Sequence, residues 1–205
     1  MKSLNALFIL LVSFGVTTAF TLPEKPTATY TVDAEQSTIH WTGKKVTGQH
    51  SGVIDLQEGT LDVDGDQLTG GQFTIDMSTL ANEDLEGEDK AKLEGHLKSD
   101  DFFGVENHPT AQLVITQVTP QEGDQYIITG DLTIKEATHP VEFPATVTVQ
   151  DGQITADATI TVDRTKYDVR YGSSSFFDNL GDKVIYDDFD IAVSLVATSD
   201  ASASK

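Results

Sequence analysis

The 205-residue chain has no cysteine, one tryptophan and two methionines, and only thirteen basic residues against thirty-three acidic ones. The missing cysteine excludes a disulfide framework, a thiolate nucleophile and a zinc–thiolate centre, and it removes the residue that carries a bacterial lipoprotein anchor. A domain of this length buries enough apolar surface to fold without such staples. The formal charge of −20 argues against nucleic acid or an anionic membrane surface as a partner, because a field of that sign repels phosphates and no basic run interrupts it. Long apolar runs are also missing, apart from one near the N-terminus that is short for a membrane span.

That run is Ala6-Leu7-Phe8-Ile9-Leu10-Leu11-Val12, preceded by Lys2 and followed by the small residues Thr17-Thr18-Ala19. Residues 1–19 read as a secretory signal peptide, which places the mature chain, starting close to Phe20, in the periplasm or outside the cell. A buried N-terminal helix or a retained anchor is the alternative. Residues 20–28, with Pro23 and Pro26, read as a flexible lead-in, 29–197 as one domain, and the Ala/Ser-rich 198–205 as a disordered tail. No stable membrane insertion is expected once the signal is removed.

What the domain does have is alternation. Tyr126-Ile128-Gly130-Leu132-Ile134, Val141-Phe143-Ala145-Val147-Val149, Ile154-Ala156-Ala158-Ile160-Val162 and Phe189-Ile191-Val193-Leu195 each place an apolar or small residue at every second position. Phe73-Ile75-Met77 and Ile39-Trp41 do so more briefly. Side chains on a strand point alternately to its two faces, so every one of these strands has an oily face and a wet one. That pattern belongs to an antiparallel sheet around a single apolar interior, in an all-β domain. Strands are expected at 29–34, 38–45, 51–57, 59–64, 68–77, 110–119, 125–135, 140–150, 153–163 and 185–197. Asp64-Gly65 and Asp151-Gly152 mark tight hairpins. Between the two β blocks, residues 84–98 lose the period of two and gain Leu85, Leu93 and Leu97 at helical spacing, with acids early and Lys98 late, which predicts a short helix.

Few motifs carry chemistry. His40, His50, His96, His108 and His139 lack metal-ligand spacing, so no metal and no cofactor is assigned. Asp62-Val63-Asp64-Gly65-Asp66 starts like a calcium loop but has its glycine two places early and Phe73 where the final glutamate belongs. Ser173-Ser174-Ser175 has no nucleophile elbow around it, and acid pairs such as Asp187-Asp188 arise by chance among so many carboxylates. Arg164 is more informative. Strand parity from Ile160 and Val162 turns it inward, and the apolar residues Tyr167, Val169 and Tyr171 then switch parity, implying a bulge or strand end at 164–166. An inward arginine needs either an acidic partner or a ligand, and the sequence leaves both open.

Gly95-His96-Leu97-Lys98-Ser99-Asp100-Asp101-Phe102-Phe103 with Pro109-Thr110, then Gly130-Asp131-Leu132-Thr133-Ile134-Lys135 with His139-Pro140-Val141, then Asp163-Arg164-Thr165-Lys166-Tyr167, resemble three ordered signatures of the YceI-like family. Glu136 and Asp168 stand where many members have glycine. The resemblance implies an elongated, lipocalin-like antiparallel β-barrel whose interior holds a long-chain isoprenoid, an isoprenoid quinone or a fatty amide, for lipid or quinone carriage or a stress response, without catalysis. On that reading the apolar tail of the ligand lies among Trp41, Phe73, Leu132, Ile134, Phe143, Ile160 and Val162. Its polar end meets a mouth formed by His96, Phe102, Phe103, Arg164, Tyr171, Phe176 and Phe177. A hydrolase or isomerase acting on such lipids and a structural module with a filled core are the rival readings. A homodimer is compatible with all three.

Overall fold

The computed structural model describes residues 27–199; the expected signal peptide lies outside them, as do residues 200–205. Nine strands form one antiparallel sheet: β1 (Thr27–Val32), β2 (Thr38–Lys45), β3 (Gly48–Asp64), β4 (Gln67–Asn82), β5 (Thr110–Pro120), β6 (Gln125–Ile134), β7 (Ala137–Gln150), β8 (Gln153–Asp163) and β9 (Ile185–Ser199). A helix, α1 (Gly87–Lys98), joins β4 to β5. The order around the sheet is β1-β3-β2-β9-β8-β7-β6-β5-β4, and pairing of β3 with β4 closes it. β2 pairs with the first part of β3, from Gly48 to Val53, and β1 with the last part, from Thr60 to Asp64. The two short strands therefore share one position, and the closed wall is an eight-stranded barrel. β3, at seventeen residues, is long enough to run roughly 55 Å, which gives the barrel its elongated shape.

Two expected strands, 51–57 and 59–64, are one. The register of β3 on β4 shifts between Leu56 and Glu58, so a bulge moves the buried parity from Ile54 and Leu56 to Leu61 and Val63 without interrupting the strand. A change of parity read as a turn is here a bend in a continuous stave. β9 continues to Ser199, two residues past the expected end of the domain. The helix starts three residues later than expected, after Glu86, with Glu88 and Asp89 in its first turn and His96 and Lys98 in its last, as its dipole favours.

The hairpins fix the two ends of the barrel. The β3–β4, β5–β6 and β7–β8 turns lie at one end. The β2–β3 and β6–β7 turns, α1 and the connection from β8 to β9 lie at the other. In the first half the interior is filled: Val63, Ile154 and Ala197 are fully buried, and Leu61 and Ile128 nearly so. The opposite half is less regular. β7 and β8 pair only from Ala145 and Ala158 to Gln150 and Gln153, so Ala137–Pro144 and Thr159–Asp163 part company. Pro140 and Pro144 on that stretch of β7 have no N–H to offer a neighbour. A 3₁₀ turn, Arg164–Tyr167, leaves the end of β8 and packs on β7; the Tyr167 ring meets His139 edge-on at 5.3 Å.

Candidate functional site

The half of the barrel nearer α1 encloses a cavity of about 410 Å³, within the usual range for small-molecule sites. Its floor is Leu61, Leu68, Ile128, Val147 and Leu195, the top of the filled core. Its walls include Trp41, Phe73, Leu132, Ile134, Phe143 and Ile160, six of the seven residues expected to hold an apolar tail. Val162 also points inward but is sealed off, 1% exposed and no part of the cavity wall. Phe189, Ile191, Val193, Ala156 and Ala158 also line it. The first three continue the inward parity of β9 and were legible from it. Trp41 is held in place twice: its indole N–H donates to the Ala81 carbonyl at 3.2 Å, and its ring lies so close over Gly52 that a Cβ there would come within 2.8 Å of it.

All polar lining is at the end covered by α1, and includes Lys44, Lys45, His50, His96, Arg164, Tyr171, Tyr186 and Asp188. The cavity is thus oily in depth and polar at one mouth. Helix α1 contributes Leu93, His96 and Leu97, which share one face by their spacing. Two polar contacts hold the helix over the opening: the Asn82 backbone N–H donates to Glu94 at 2.8 Å and the Lys98 ammonium to the Ser78 carbonyl at 2.8 Å. Asn82 is fully buried and ties the Ser51 carbonyl, Asp84 and the Leu85 N–H together. Burial alone would raise the Asp84 carboxyl, but bonds from the Ser51 N–H, the His50 ring and the Asn82 amide outweigh it and hold the pKa at about 2.

The segment after α1 folds into a compact turn, in which the Phe102 and Gly104 N–H groups donate to the Ser99 carbonyl and the Val105 N–H to Lys98. Gly104 takes a φ of +56° there, a conformation that favours glycine. The turn buries Phe102 beneath the mouth. His96 stands edge-on to Phe102 at 5.0 Å and to Tyr171 at 4.4 Å. The Arg164 guanidinium lies over the Phe102 ring itself, 5.8 Å from its centre. His96 and Arg164 therefore meet at one mouth with Phe102 between them. Phe103 extends the aromatic border to Phe189. Phe176 and Phe177 do not line the cavity; they stand outside it, half exposed, on the loop between β8 and β9.

Arg164 is 3% exposed. Nε donates to the Tyr186 carbonyl at 3.1 Å, one Nη to Val169 at 2.8 Å and the other to Ile185 at 3.0 Å. The Asp187 carboxylate lies 3.6 Å away. The acidic partner that the sequence left open is thus present, and three backbone carbonyls accompany it. Burial lowers the pKa of the guanidinium, while Asp187 and Asp163 oppose that shift. On the far side, Asp187 accepts from the Ser175 hydroxyl at 2.5 Å, and Ser173 is fully buried with its hydroxyl oxygen accepting the Ser175 N–H. The serine triplet thus builds the loop that Arg164 clamps. Tyr167, buried beside it, has a hydroxyl with no hydrogen-bond partner; burial and then the nearby Asp163 push its pKa up to about 12. Among the described residues no three His, Asp or Glu side chains converge as a metal site would require.

A closed antiparallel barrel with an oily interior and one polar mouth defines the class of lipocalin-like barrels. The chain belongs to the YceI-like family, whose domain matches residues 30–197. It is 43% identical over 51 residues to a UPF0312 protein of Photorhabdus laumondii, a stretch covering 25% of this chain and 26% of that one. To the UPF0312 protein of Shewanella denitrificans it is 30% identical over 96 residues, 47% of this chain and 48% of that one. These matches span less than half of either relative. Among solved structures, BcnA of Burkholderia cenocepacia superposes with a TM-score of 0.63 at 23% identity, covering 82% of this chain and 99% of that one. A polyisoprenoid binding domain from Saccharophagus degradans gives 0.61 at 12% identity, covering 83% and 98%. At such identities the superpositions speak for the fold.

Proposed function

We propose that the protein is an exported carrier that holds one long apolar molecule, a polyisoprenoid, an isoprenoid quinone or a fatty amide, with its chain along the barrel and its polar end at the mouth. The observation that carries this reading is the gradient in the cavity, which is apolar from Leu61 up to Phe143 and polar only around His96, Arg164, Tyr171 and Lys45. Each methylene moved from water into such an interior contributes about 0.8 kcal/mol, so a prenyl chain binds tightly through burial alone. The polyisoprenoid binding domain among the structural neighbours supports the choice of ligand class. Arg164, committed to three carbonyls, presents a positive field across Phe102, and His96 and Tyr171 are the groups with capacity left for a carbonyl or phosphate.

Export is proposed from Lys2, the apolar run after it and the cleavage residues ending at Ala19. N-terminal sequencing of secreted material beginning near Phe20 supports it, and material beginning at Met1 refutes it. The carrier reading is tested by organic extraction of the purified protein followed by mass spectrometry. A stoichiometric long-chain lipid is the expected result. A barrel that comes out empty and takes up no added prenol or quinone is a structural module instead, and one that releases a chemically altered lipid is an enzyme.

A further inference from the structure

The inward rows of the barrel change character at one level. Leu61, Ile128, Ala156 and Leu195 line the cavity, whereas two residues further along the same strands Val63, Tyr126, Ile154 and Ala197 are buried and do not reach it. The interior is open above that level and solid below it. Pairing sets Val147 opposite Ala156 and Ala156 opposite Leu195, so the three stand side by side on β7, β8 and β9 at the foot of the cavity. Ala156, the smallest of them, leaves a notch between two larger neighbours.

A closed floor limits what the cavity can take. A dry apolar cavity of about 150 Å³ takes up one benzene ring, roughly 25 Å³ for each carbon. At that density the enclosed 410 Å³ holds roughly sixteen carbons. Length leads to a similar figure. From Leu195 at the floor to Phe189, which Phe103 meets at the mouth, β9 advances roughly 20 Å. An extended carbon chain gains roughly 1.25 Å per bond along its axis, so about sixteen carbons span that distance.

We propose that the barrel measures its ligand: with the polar end held at the mouth it takes up a chain of up to about sixteen carbons, either a fatty chain of that length or about three isoprene units. Val147, Ala156 and Leu195 are the stop. Carbons beyond that number stay outside, among the polar side chains of the mouth and in water, where they gain nothing from burial. This selectivity rests on the carrier reading and narrows its ligand class to the shorter members.

The test is a titration of the lipid-stripped protein with straight-chain primary amides, roughly eight to twenty-two carbons long, delivered from cyclodextrin. Trp41, the single tryptophan of the chain, lines the cavity and reports occupancy by its fluorescence. Affinity is expected to rise about fourfold per carbon and to level off at about sixteen carbons. Ala156→Leu adds roughly three carbons' volume at the floor, so the break should move to about thirteen. The longer amides should then bind roughly fiftyfold more weakly and the shortest as to wild type. Leu195→Ala removes a similar volume and should move the break to about nineteen; it decides the matter should Ala156→Leu not fold, with melting temperature as the check on both. Wild-type affinity that keeps climbing through the longest amide overturns the limit and leaves carriage standing. So does a break that stays in place in the folded variants. Binding of no amide at any length refutes carriage itself, and the limit with it.

Discussion

Replacing Arg164 by methionine keeps most of the side-chain length and removes the guanidinium. Three carbonyls, of Val169, Ile185 and Tyr186, lose their donors, and Asp187 loses its 3.6 Å counter-charge. Hydrogen bonds to a charged donor are worth about 1.5–3 kcal/mol each. The Val169 carbonyl is the deepest of the three, accepting the buried bond, whereas Tyr186 is half exposed and its carbonyl regains water more readily. The expected loss is about 3–5 kcal/mol, the range for breaking a buried charged contact from one side. For a domain of this size that is a fall of roughly 10 °C in melting temperature. Hydrogen exchange should locate the damage, with faster exchange at the Ile185 and Val184 amides, which anchor the loop, and little change in β5 and β6. His96→Ala should behave differently, because that ring touches aromatics and lies 3.9 Å from Asp101 without clamping any backbone. It should leave melting almost unchanged and weaken a prenyl ligand bearing a quinone or phosphate more than a hydrocarbon of equal length. An Arg164→Met protein that melts like wild type but discriminates poorly between those two ligands would show that the arginine serves the headgroup and not the loop.

Four further substitutions probe other links. Ala158→Trp places an indole in the hollow half of the barrel, so it should fold yet retain no lipid on extraction, while Ile160→Asp should lose both lipid and several kcal/mol, since a carboxylate has no partner there; a folded Ala158→Trp protein that still carries its full lipid would mean the chain runs elsewhere. Asp84, held at about 2 in the folded protein against 3.8 when free, contributes stability that is present above pH 3.8 and is lost as pH falls toward 2. The shift corresponds to about 2 kcal/mol at most, discounted to about 1 kcal/mol because a third of the side chain is exposed to screening solvent. Asp84→Asn should lower neutral-pH stability by that amount and flatten the acid limb of the melting curve, and an unchanged acid limb would assign the acid sensitivity to other carboxylates. Tyr167→Phe removes a buried hydroxyl without a partner and should raise stability by up to about 1 kcal/mol, measured by chemical denaturation; a clear loss would reveal a partner such as bound water.

Alternation made the wall legible because a half-wet strand must repeat every two residues wherever its register holds. It fails where a bulge shifts the register, and β3, β4 and β5 each contain such a place: the pairing slips at Leu56/Glu58, at Asp62/Val63 and at Ile115/Gln117. The same reasoning placed Trp41, Phe73, Leu132, Ile134, Phe143 and Ile160 on the cavity wall. Parity cannot tell a residue beside a void from one beside a neighbour, which is why Val162, inward but 1% exposed, looked the same as Ile160. At the mouth, parity says nothing. Lys44, Lys45, His50, Tyr186 and Asp188 reach the opening because turns and strand ends from four parts of the chain converge there, and no local pattern encodes that convergence. Phe176 and Phe177 were drawn inward by their chemistry and face outward because the loop that holds them is pinned by Arg164 and Ser173 on its inner side.

The partly buried residues of the inward rows decide between a hollow barrel and a filled one. Phe73, Trp41, Ala156, Ala158, Ile191 and Val193 are only partly buried although they belong to the inward rows of their strands and line the cavity. Their missing contacts face the interior, so the space there is not closed by the protein's own side chains. A void of this volume carries a penalty of about 10 kcal/mol if it is scaled like an engineered core cavity, comparable with the whole stability of a typical domain. The fold withstands it by separating tasks along the axis: the floor from Val63 to Ile154 is packed solid, and the opposite rim is tied by the Arg164 clamp and by the Asn82 junction under α1. Rigid ends with a hollow middle make the interior a place where an added apolar chain recovers contacts that the protein alone lacks. Occupancy and stability are therefore one quantity seen from two sides.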